Sequence, residues 1–410
     1  MSEKEQEKEK KLIAFVSGST GFVGMNLVRY LLKKNEVKVR CLCRKKTFSE
    51  YSKWFSDLDV EIVDGDLTNY ESLVKGMENC TYAYNAAGVV SFKGGDKNLL
   101  FKVNVLGARN FALAAAKNNI KRIIHISSAI TAEVEEDISN PTTEDSTFNP
   151  FKNHSYYETS KYHSEAELLK ISLQTGLEVV FINPVAILGE FDFKMSPVGL
   201  MFKKIAQNKI PVFPSKGKYS FVGAYDIAKA SYRAMKYGKN GQKYIISHDE
   251  QLTTEKLLDW ILESTNAKKP KLMINSTALK YVAWVKDMFE KYFFTFDRFF
   301  EVASLFSYHS MKYLCSGQVY DNSLVKKDLG IKFKSLKVCF EEHIDWLKNN
   351  GFIVIKKNDE DDDEDDDEDE DEDDNFTDDF YNENENENEN QNENENQNQN
   401  QNEKQNQNQN

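Results

Sequence analysis

The chain has 410 residues, 40% of them hydrophobic and 29% charged, with a formal charge of −13, enough for one large folded body or two smaller ones. The charge is unevenly distributed: from Asp359 onward there are 25 acids and a single base, Lys404, so the first 358 residues carry +11 and the acidity belongs to the tail. No run of 18 apolar residues offers a membrane span, and five cysteines without C-x-x-C spacing speak against a disulfide framework and against a zinc or other metal site.

Residues 1–11 are charged where a secretory leader would be apolar, so a flexible N-terminus and a cytoplasmic address are expected. Short runs rich in β-branched residues then alternate with helical patterns. Strands are predicted at Leu12 to Ser17, Val37 to Leu42, Val60 to Val63, Thr81 to Tyr84, Arg122 to Ile126 and Leu177 to Ile182, and helices at Phe22 to Lys34, Leu99 to Lys117 and Tyr157 to Gln174. This alternation predicts an α/β fold, a Rossmann-type doubly wound parallel sheet over residues 12–183. Beyond Pro184 the rhythm breaks. Residues 221–250, with a helix to about Tyr237 and a strand at Tyr244 to Ser247, return to the sheet, while 184–220 and 251–355 form a smaller, mainly helical substrate lobe. Within it, aromatics crowd residues 281–306 between charges spaced about a turn apart. They are read as amphipathic helices closing the lobe, the alternative being a face for peripheral membrane contact or a greasy substrate. Residues 356–410, acidic and then Asn/Gln-rich, cannot bury a core and are read as a disordered, solubilising tail. The alternative is a tail that folds back on the basic body.

After the first strand comes Ser17-Gly18-Ser19-Thr20-Gly21-Phe22-Val23-Gly24, opening a helix. Glycines at such a turn let a pyrophosphate approach the backbone and the unpaired N–H groups of the helix N-terminus. The second strand ends Cys43-Arg44-Lys45-Lys46, three cations and no acid, which favours NADP(H) over NAD(H), with Arg44 as the forked donor. A solvated basic turn is the bland alternative. Asp66 and Leu67 follow the third strand, where they would contact adenine. Asn85-Ala86-Ala87-Gly88 follows the fourth as a floor of small residues beside the nicotinamide ribose.

Five Tyr-x-x-x-Lys pairs occur, and only Tyr157 with Lys161 begins the helix between the fifth and sixth strands, after a hydroxyl-bearing strand end, Ser127-Ser128. Residues four apart share a helical face. A cation about 4 Å from a phenol, at an effective dielectric near 20, contributes about 4 kcal/mol, roughly three pKa units, enough for proton transfer near neutrality. Ser128, one residue further out of the strand than Ser127, is the preferred donor to a substrate oxygen. His125 reads as a structural histidine, and His154, beside this loop, as structural or in touch with substrate.

Together Gly18-x-x-Gly21-x-x-Gly24, Asp66-Leu67, Asn85-Ala86-Ala87, Asn104-Val105-x-Gly107, Ser127-Ser128, Tyr157-x-x-x-Lys161, Asn183-Pro184 and Phe221-Val222-x-x-x-Asp226-x-Ala228 resemble the extended short-chain dehydrogenase/reductases across most of residues 12–230. The resemblance implies a bound nicotinamide dinucleotide and the catalytic trio Ser128, Tyr157 and Lys161. It also implies cofactor contacts from Ser127 and from Asn183-Pro184-Val185, a role for Asn104 in organising its helix, and a homodimer through paired helices. Many sugar-nucleotide members carry arginine before the sixth-strand proline and an Arg-Asp pair later. This chain has Asn183 and Phe221-Val222-Gly223-Ala224-Tyr225-Asp226 instead. The sequence is therefore similar to the dihydroflavonol-reductase-like and 3β-hydroxysteroid-dehydrogenase-like members, which implies an apolar ketone or secondary alcohol as substrate. Phe92, Phe151, Phe191 and Phe193 are candidates to line its pocket, or to belong to the core. An NAD(P)-dependent sugar-nucleotide epimerase or dehydratase and a non-catalytic dinucleotide-sensing scaffold are the alternatives. The positive charges of the body are dispersed and no nucleic-acid motif occurs, so no nucleic-acid partner is expected.

Overall fold

The structure is a computed structural model that describes residues 12–91, 97–132, 140–152, 154–293, 307–314 and 317–354. The expectations for Phe92, Phe294, Phe296, Phe299, Phe300, the first 11 residues and the tail lie outside the described residues.

Seven parallel strands form the central sheet: β1 (Leu12–Ser17), β2 (Val37–Cys43), β3 (Val60–Asp64), β4 (Tyr82–Asn85), β5 (Arg122–Ile126), β6 (Glu178–Pro184) and, following three strands outside the sheet, β10 (Lys243–Ile246). The spatial order is β3-β2-β1-β4-β5-β6-β10. The chain starts at β1, steps outward to β3 and returns to lay β4 against the other side of β1, with Val16 opposite both Cys41 and Tyr84 and Ser17 opposite Asn85. Between β1 and β4 the direction of winding reverses, and ligands of doubly wound sheets bind at such a crevice. The central strands are apolar and buried on both faces, as a helix-covered parallel sheet requires. One face, with Phe15, Ile123, Val179 and Phe181, packs against Phe111 and Ala112.

The other face, with Val16, Ile124 and Val180, belongs to a core that runs on into Phe202, Phe221, Leu257 and Phe340. The sheet and the C-terminal half therefore share one core. Three short strands, β7 (Ala186–Leu188), β8 (Val212–Pro214) and β9 (Lys218–Gly223), precede β10, and β11 (Gln251–Thr253) and β12 (Leu272–Ile274) follow it. They form the small sheets β11-β9-β7 and β12-β8 among helices.

Local chemistry fixes the helices that matter. Helix Tyr156–Thr175 opens on a capping box: Glu158 N–H donates to Ser155 Oγ at 3.1 Å while Ser155 N–H donates to Glu158 Oε2 at 2.6 Å. It closes on Gly176 in the left-handed region, φ 75°. The helix over Lys97–Lys117 is long and apolar enough to cross a membrane, but half of its apolar window is buried in the body. Its middle, Phe101–Gly107, winds as a π-helical turn, a distortion that recurs at functional sites. In helix Ser276–Phe293, Leu279 and Ala283 pack inward on Met311, while the apolar side chains of Tyr281, Val282, Trp284 and Met288 are exposed.

Candidate active site

The glycine loop is built by backbone contact. Gly18 has φ +69°, and a Cβ there would lie 2.5 Å from the Ala86 carbonyl carbon and the Ala87 nitrogen. A Cβ on Gly24 would lie 2.0 Å from the Gly18 carbonyl oxygen, so the loop, the β4 end and the first helix meet with no room for side chains. Gly21 N–H donates back to Gly18 O at 2.9 Å. Helix Phe22–Lys34 starts at Gly21 without a side-chain cap and with no acid in its first turn, leaving its first N–H groups and the positive end of its dipole for an anion. Ser19 is buried, with Oγ 3.3 Å from Leu42 O and 3.2 Å from Cys43 Sγ. Thr20 is buried, Val23 is half-buried and the Phe22 ring meets His343 edge-on at 5.8 Å. These features fit a dinucleotide pyrophosphate.

At the β2 end Arg44 and Asp66 form a long ion pair, 3.8 Å, both partly exposed. Asp66 Oδ1 accepts from the Thr68 backbone N–H at 2.7 Å and its hydroxyl at 2.6 Å. Lys45 N–H donates to Asp64 Oδ1 at 3.0 Å. Leu67 is buried, where a Cβ on Gly107 would touch it at 2.8 Å. A chain of side chains ties this half to the catalytic helix: Ser17 Oγ donates to Asn85 Oδ1 at 2.8 Å, Asn85 Nδ2 meets His125 Nδ1 at 3.1 Å, and His125 Nε2 meets Ser164 Oγ at 3.4 Å. Burial, with Lys161 nearby, holds the His125 pKa well below the usual imidazole value, so this histidine is neutral and structural. His154 Nε2 lies 2.7 Å from Asn149 O and its ring stacks on Phe148 at 4.0 Å.

Tyr157 stands in the first turn of its helix, buried, with its phenol hydrogen-bonded to the Ser128 side chain. Lys161, one turn on, is also buried and its ammonium donates to Ile126 O at 3.1 Å. Here the charge balance differs from the sequence expectation. Burial pushes the Tyr157 phenol up to about 12 against the lowering hydrogen bond from Ser128, and burial holds the Lys161 ammonium down to about 8 although Glu165 pulls it upward. Desolvation outweighs the Ser128 hydrogen bond at the phenol and the attraction of Glu165 at the ammonium.

Two neighbours organise the pair. Asn104, in the π-helical turn, accepts from Val89 N–H at 2.8 Å and donates to Val89 O and to Ser160 Oγ, both at 3.0 Å. A Cβ on Gly88 would lie 3.2 Å from Lys161 Nζ and 3.3 Å from Asn104 Oδ1, so a side chain there would press on both. Glu165, unremarked in the sequence, sits one turn beyond Lys161, and its Oε1 accepts from Ser127 Oγ at 2.5 Å, Thr131 Oγ1 at 3.0 Å and Asn183 Nδ2 at 2.8 Å. Its Oε2 pairs with Lys243 at 2.6 Å. Ser127 is thus engaged in the wall while Ser128 faces Tyr157. Asn183 also donates to Ser128 O at 3.0 Å. Pro184 pairs with Ile246, and Val185 N–H donates to Ile246 O at 3.2 Å.

Of the two readings of the loop phenylalanines, pocket lining or core, the packing of Phe193 is that of core. Phe193 is buried, its ring parallel to Trp54 at 5.7 Å and 4.9 Å from Tyr51, and Phe191 lies 6.3 Å from Trp54. Phe151 is 96% exposed. Phe193 is core and Phe191 packs against it partly buried, because the loop after β7 folds back on the segment after β2.

Residues 14–247 match the sequence model described as the NAD dependent epimerase/dehydratase family. The chain belongs to that family. Among its relatives, sterol demethylase protein B of Methylococcus capsulatus is 31% identical over 342 residues, 83% of this chain and 100% of that protein. The 3beta-hydroxysteroid-dehydrogenase/decarboxylase isoform 1 of Arabidopsis thaliana is 23% identical, covering 67% of this chain and 66% of its own. The solved dTDP-glucose 4,6-dehydratase of Streptomyces venezuelae, with NAD bound, superposes with a TM-score of 0.65 at 16% identity, over 83% of this chain and 98% of its own, and shares the fold. Family membership makes the protein an NAD(P)-dependent enzyme of the extended short-chain type.

Proposed function

We propose that the protein is an NADP(H)-dependent oxidoreductase acting on the carbonyl or secondary alcohol of an apolar small molecule, with Tyr157 as general acid/base and Ser128 and Lys161 as its partners. The observation that carries this reading is the buried phenol of Tyr157, hydrogen-bonded to Ser128 one helical turn from Lys161. Bound at the glycine loop, a nicotinamide dinucleotide supplies or accepts the hydride.

Everything else is the work of the chain. Ser128 Oγ orients the substrate oxygen and stabilises the charge that develops on it. Tyr157 delivers its proton to that oxygen. A phenol held at about 12 is fully protonated at neutral pH, the form that carbonyl reduction consumes. Lys161 stabilises the phenolate left behind, and Asn104, through Ser160 and Val89, keeps the first turn of the helix in register. Arg44 would hold the adenosine 2′-phosphate. Asn183, donating to three neighbours within the wall, supports an apolar substrate over a diphosphate sugar, as does the similarity to a sterol demethylase protein and a 3beta-hydroxysteroid-dehydrogenase/decarboxylase.

The test is NADPH consumption with a panel of ketones, steroid ketones included, by wild type and Tyr157→Phe. Stoichiometric consumption is expected, falling about 10²–10⁴-fold in the variant with dinucleotide affinity retained. Undiminished turnover by Tyr157→Phe would refute the mechanism. A tightly retained cofactor with no net turnover would favour a sugar-nucleotide epimerase.

A further inference from the structure

Helix Ser276–Phe293 buries one apolar stripe and exposes another. Leu279 and Ala283, four residues apart, rest on Met311, with Val212 of β8 and Ile274 of β12 packed alongside. A helix seated in this way on a globular body usually carries polar residues on its far side. Here the far side carries Tyr281, Val282, Trp284 and Met288, with Tyr281 65% and Trp284 45% exposed. Tyr281, Trp284 and Met288 follow at spacings of three and four, so they share one face, and the rings of Tyr281 and Trp284 stack with centroids 5.9 Å apart. Leu272, in β12 just before the helix, is exposed as well. Asp287 is engaged elsewhere: it accepts from the Tyr308 N–H at 2.7 Å and pairs with Lys286 at 3.6 Å.

The ground around this face is basic. Between Glu263 and Asp287 the sequence has five lysines and no acid, and between Asp192 and Asp226 it has six lysines and no acid. Pairing of β8 with β12 brings the two segments together, and Ser276 Oγ donates to the Lys216 carbonyl at 2.5 Å where the helix begins. Of these lysines, Lys209, Lys216, Lys218, Lys268, Lys269 and Lys271 are exposed. Glu255, under the influence of Lys216 and Lys269, offsets one charge. Aromatic and aliphatic side chains bordered by lysines match the boundary between acyl chains and headgroups of an anionic bilayer. A second copy of the chain fits less well, because a face-to-face pair would bring the two sets of lysines together.

We propose that this face is a membrane-docking surface. It seats the protein on an anionic lipid bilayer, with Leu272, Tyr281, Val282, Trp284 and Met288 among the headgroups and the lysines over the lipid charges. None of these residues belongs to the glycine loop or the catalytic trio, and the docking does not depend on the substrate reading above. For an enzyme of apolar substrates, it would bring the protein to the phase in which they dissolve.

The experiment is vesicle flotation of the full chain with two liposomes, phosphatidylcholine alone and phosphatidylcholine with about one third phosphatidylserine. Wild type is expected to bind the anionic vesicles at least about tenfold more tightly than the neutral ones, and less tightly as salt rises. Tyr281→Ser combined with Trp284→Ser should lose about tenfold or more in affinity, with thermal unfolding in buffer unchanged. Lys268→Gln, Lys269→Gln and Lys271→Gln together should lose about a hundredfold on anionic vesicles, about fivefold per lysine, and little on neutral ones. Failure of wild type to bind the anionic vesicles overturns the proposal, as does binding indifferent to the aromatic pair, which marks charge attraction alone. A lower unfolding temperature for the aromatic variant without vesicles would place the face inside the protein. Loss of a dimer by that variant in buffer would make the face a contact between copies. Either result overturns the membrane assignment.

Discussion

Lys161→Met is expected to make the cofactor-free protein more stable at pH 7 and to lose that advantage as the pH rises. Lys161 is buried, its ammonium rests on the Ile126 carbonyl at 3.1 Å, and its pKa is held down to about 8 against an ordinary value of 10.5. Between those values the unfolded chain binds a proton that the folded chain has released, so wild-type stability rises with pH through that window. The penalty carried by the folded state is about 3 kcal/mol at pH 7 and under about 1 kcal/mol at pH 10. Methionine keeps the apolar stem and removes the charge, and it forfeits a hydrogen bond worth about 1 kcal/mol. The variant should therefore gain about 2 kcal/mol at pH 7, and the two proteins should be nearly equal at pH 10. Urea unfolding of cofactor-free wild type and variant at both pH values measures this, since subtraction removes other titrating groups that act independently. At pH 10 the Tyr157 phenol, pushed up to about 12, is still protonated and does not intrude. A variant less stable than wild type at pH 7, or a difference that ignores pH, would refute the reasoning. The expected outcome is a protein made sturdier by loss of its own chemistry.

Two further expectations follow from the same geometry. Gly24→Ala sets a Cβ 2.0 Å from the Gly18 carbonyl oxygen, a clash of backbone with no rotamer to relieve it. About 1–3 kcal/mol of stability and most of the dinucleotide affinity should be lost, and thermal unfolding with and without NADPH would show both; unchanged values would contradict the close-packed loop. Glu165→Gln removes the carboxylate that raises the Lys161 pKa, so the alkaline limb of the pH–rate profile should move to lower pH. Because it also unpairs Lys243, about 1–3 kcal/mol of stability should go with it. A fixed alkaline limb would show that Glu165 does not act through Lys161.

Much of the sheet was legible because its strands are short runs rich in β-branched and apolar residues, near-continuous in β1 and β6 and alternating with charges in β2 and β3, so periodicity and position agree. Val37 to Leu42 became Val37–Cys43, and Thr81 to Tyr84 became Tyr82–Asn85. The glycine spacing and the hydroxyl-bearing strand end before Tyr157 pointed to residues that the fold brings to the β1–β4 crevice and to the end of β5. What escaped is what depends on contacts far apart in the chain. Nothing local marks Glu165 as the acceptor for Ser127, Thr131 and Asn183, although its place four residues after Lys161 puts it on the same helical face. The direction of the Tyr157 shift escaped for a related reason: spacing gives the distance between phenol and ammonium, but burial, which decides the balance, is a property of the packed wall. Phe193 reads as a loop aromatic in the sequence because its partners Trp54 and Trp346 lie far away along the chain.

The hydrogen bond between Gly189, in the loop after β7, and His343 spans 154 residues. At roughly 5–20 residues per second of synthesis, some 8 to 30 s separate emergence of the loop from that of the helix that braces it. Throughout that interval the nascent sheet can already wind, yet Phe191, Phe193 and Trp54 wait for Trp346 as an uncovered aromatic surface open to chaperones. The last stretch of the globular chain to leave the ribosome is thus the one that finishes the wall beside the β2 end.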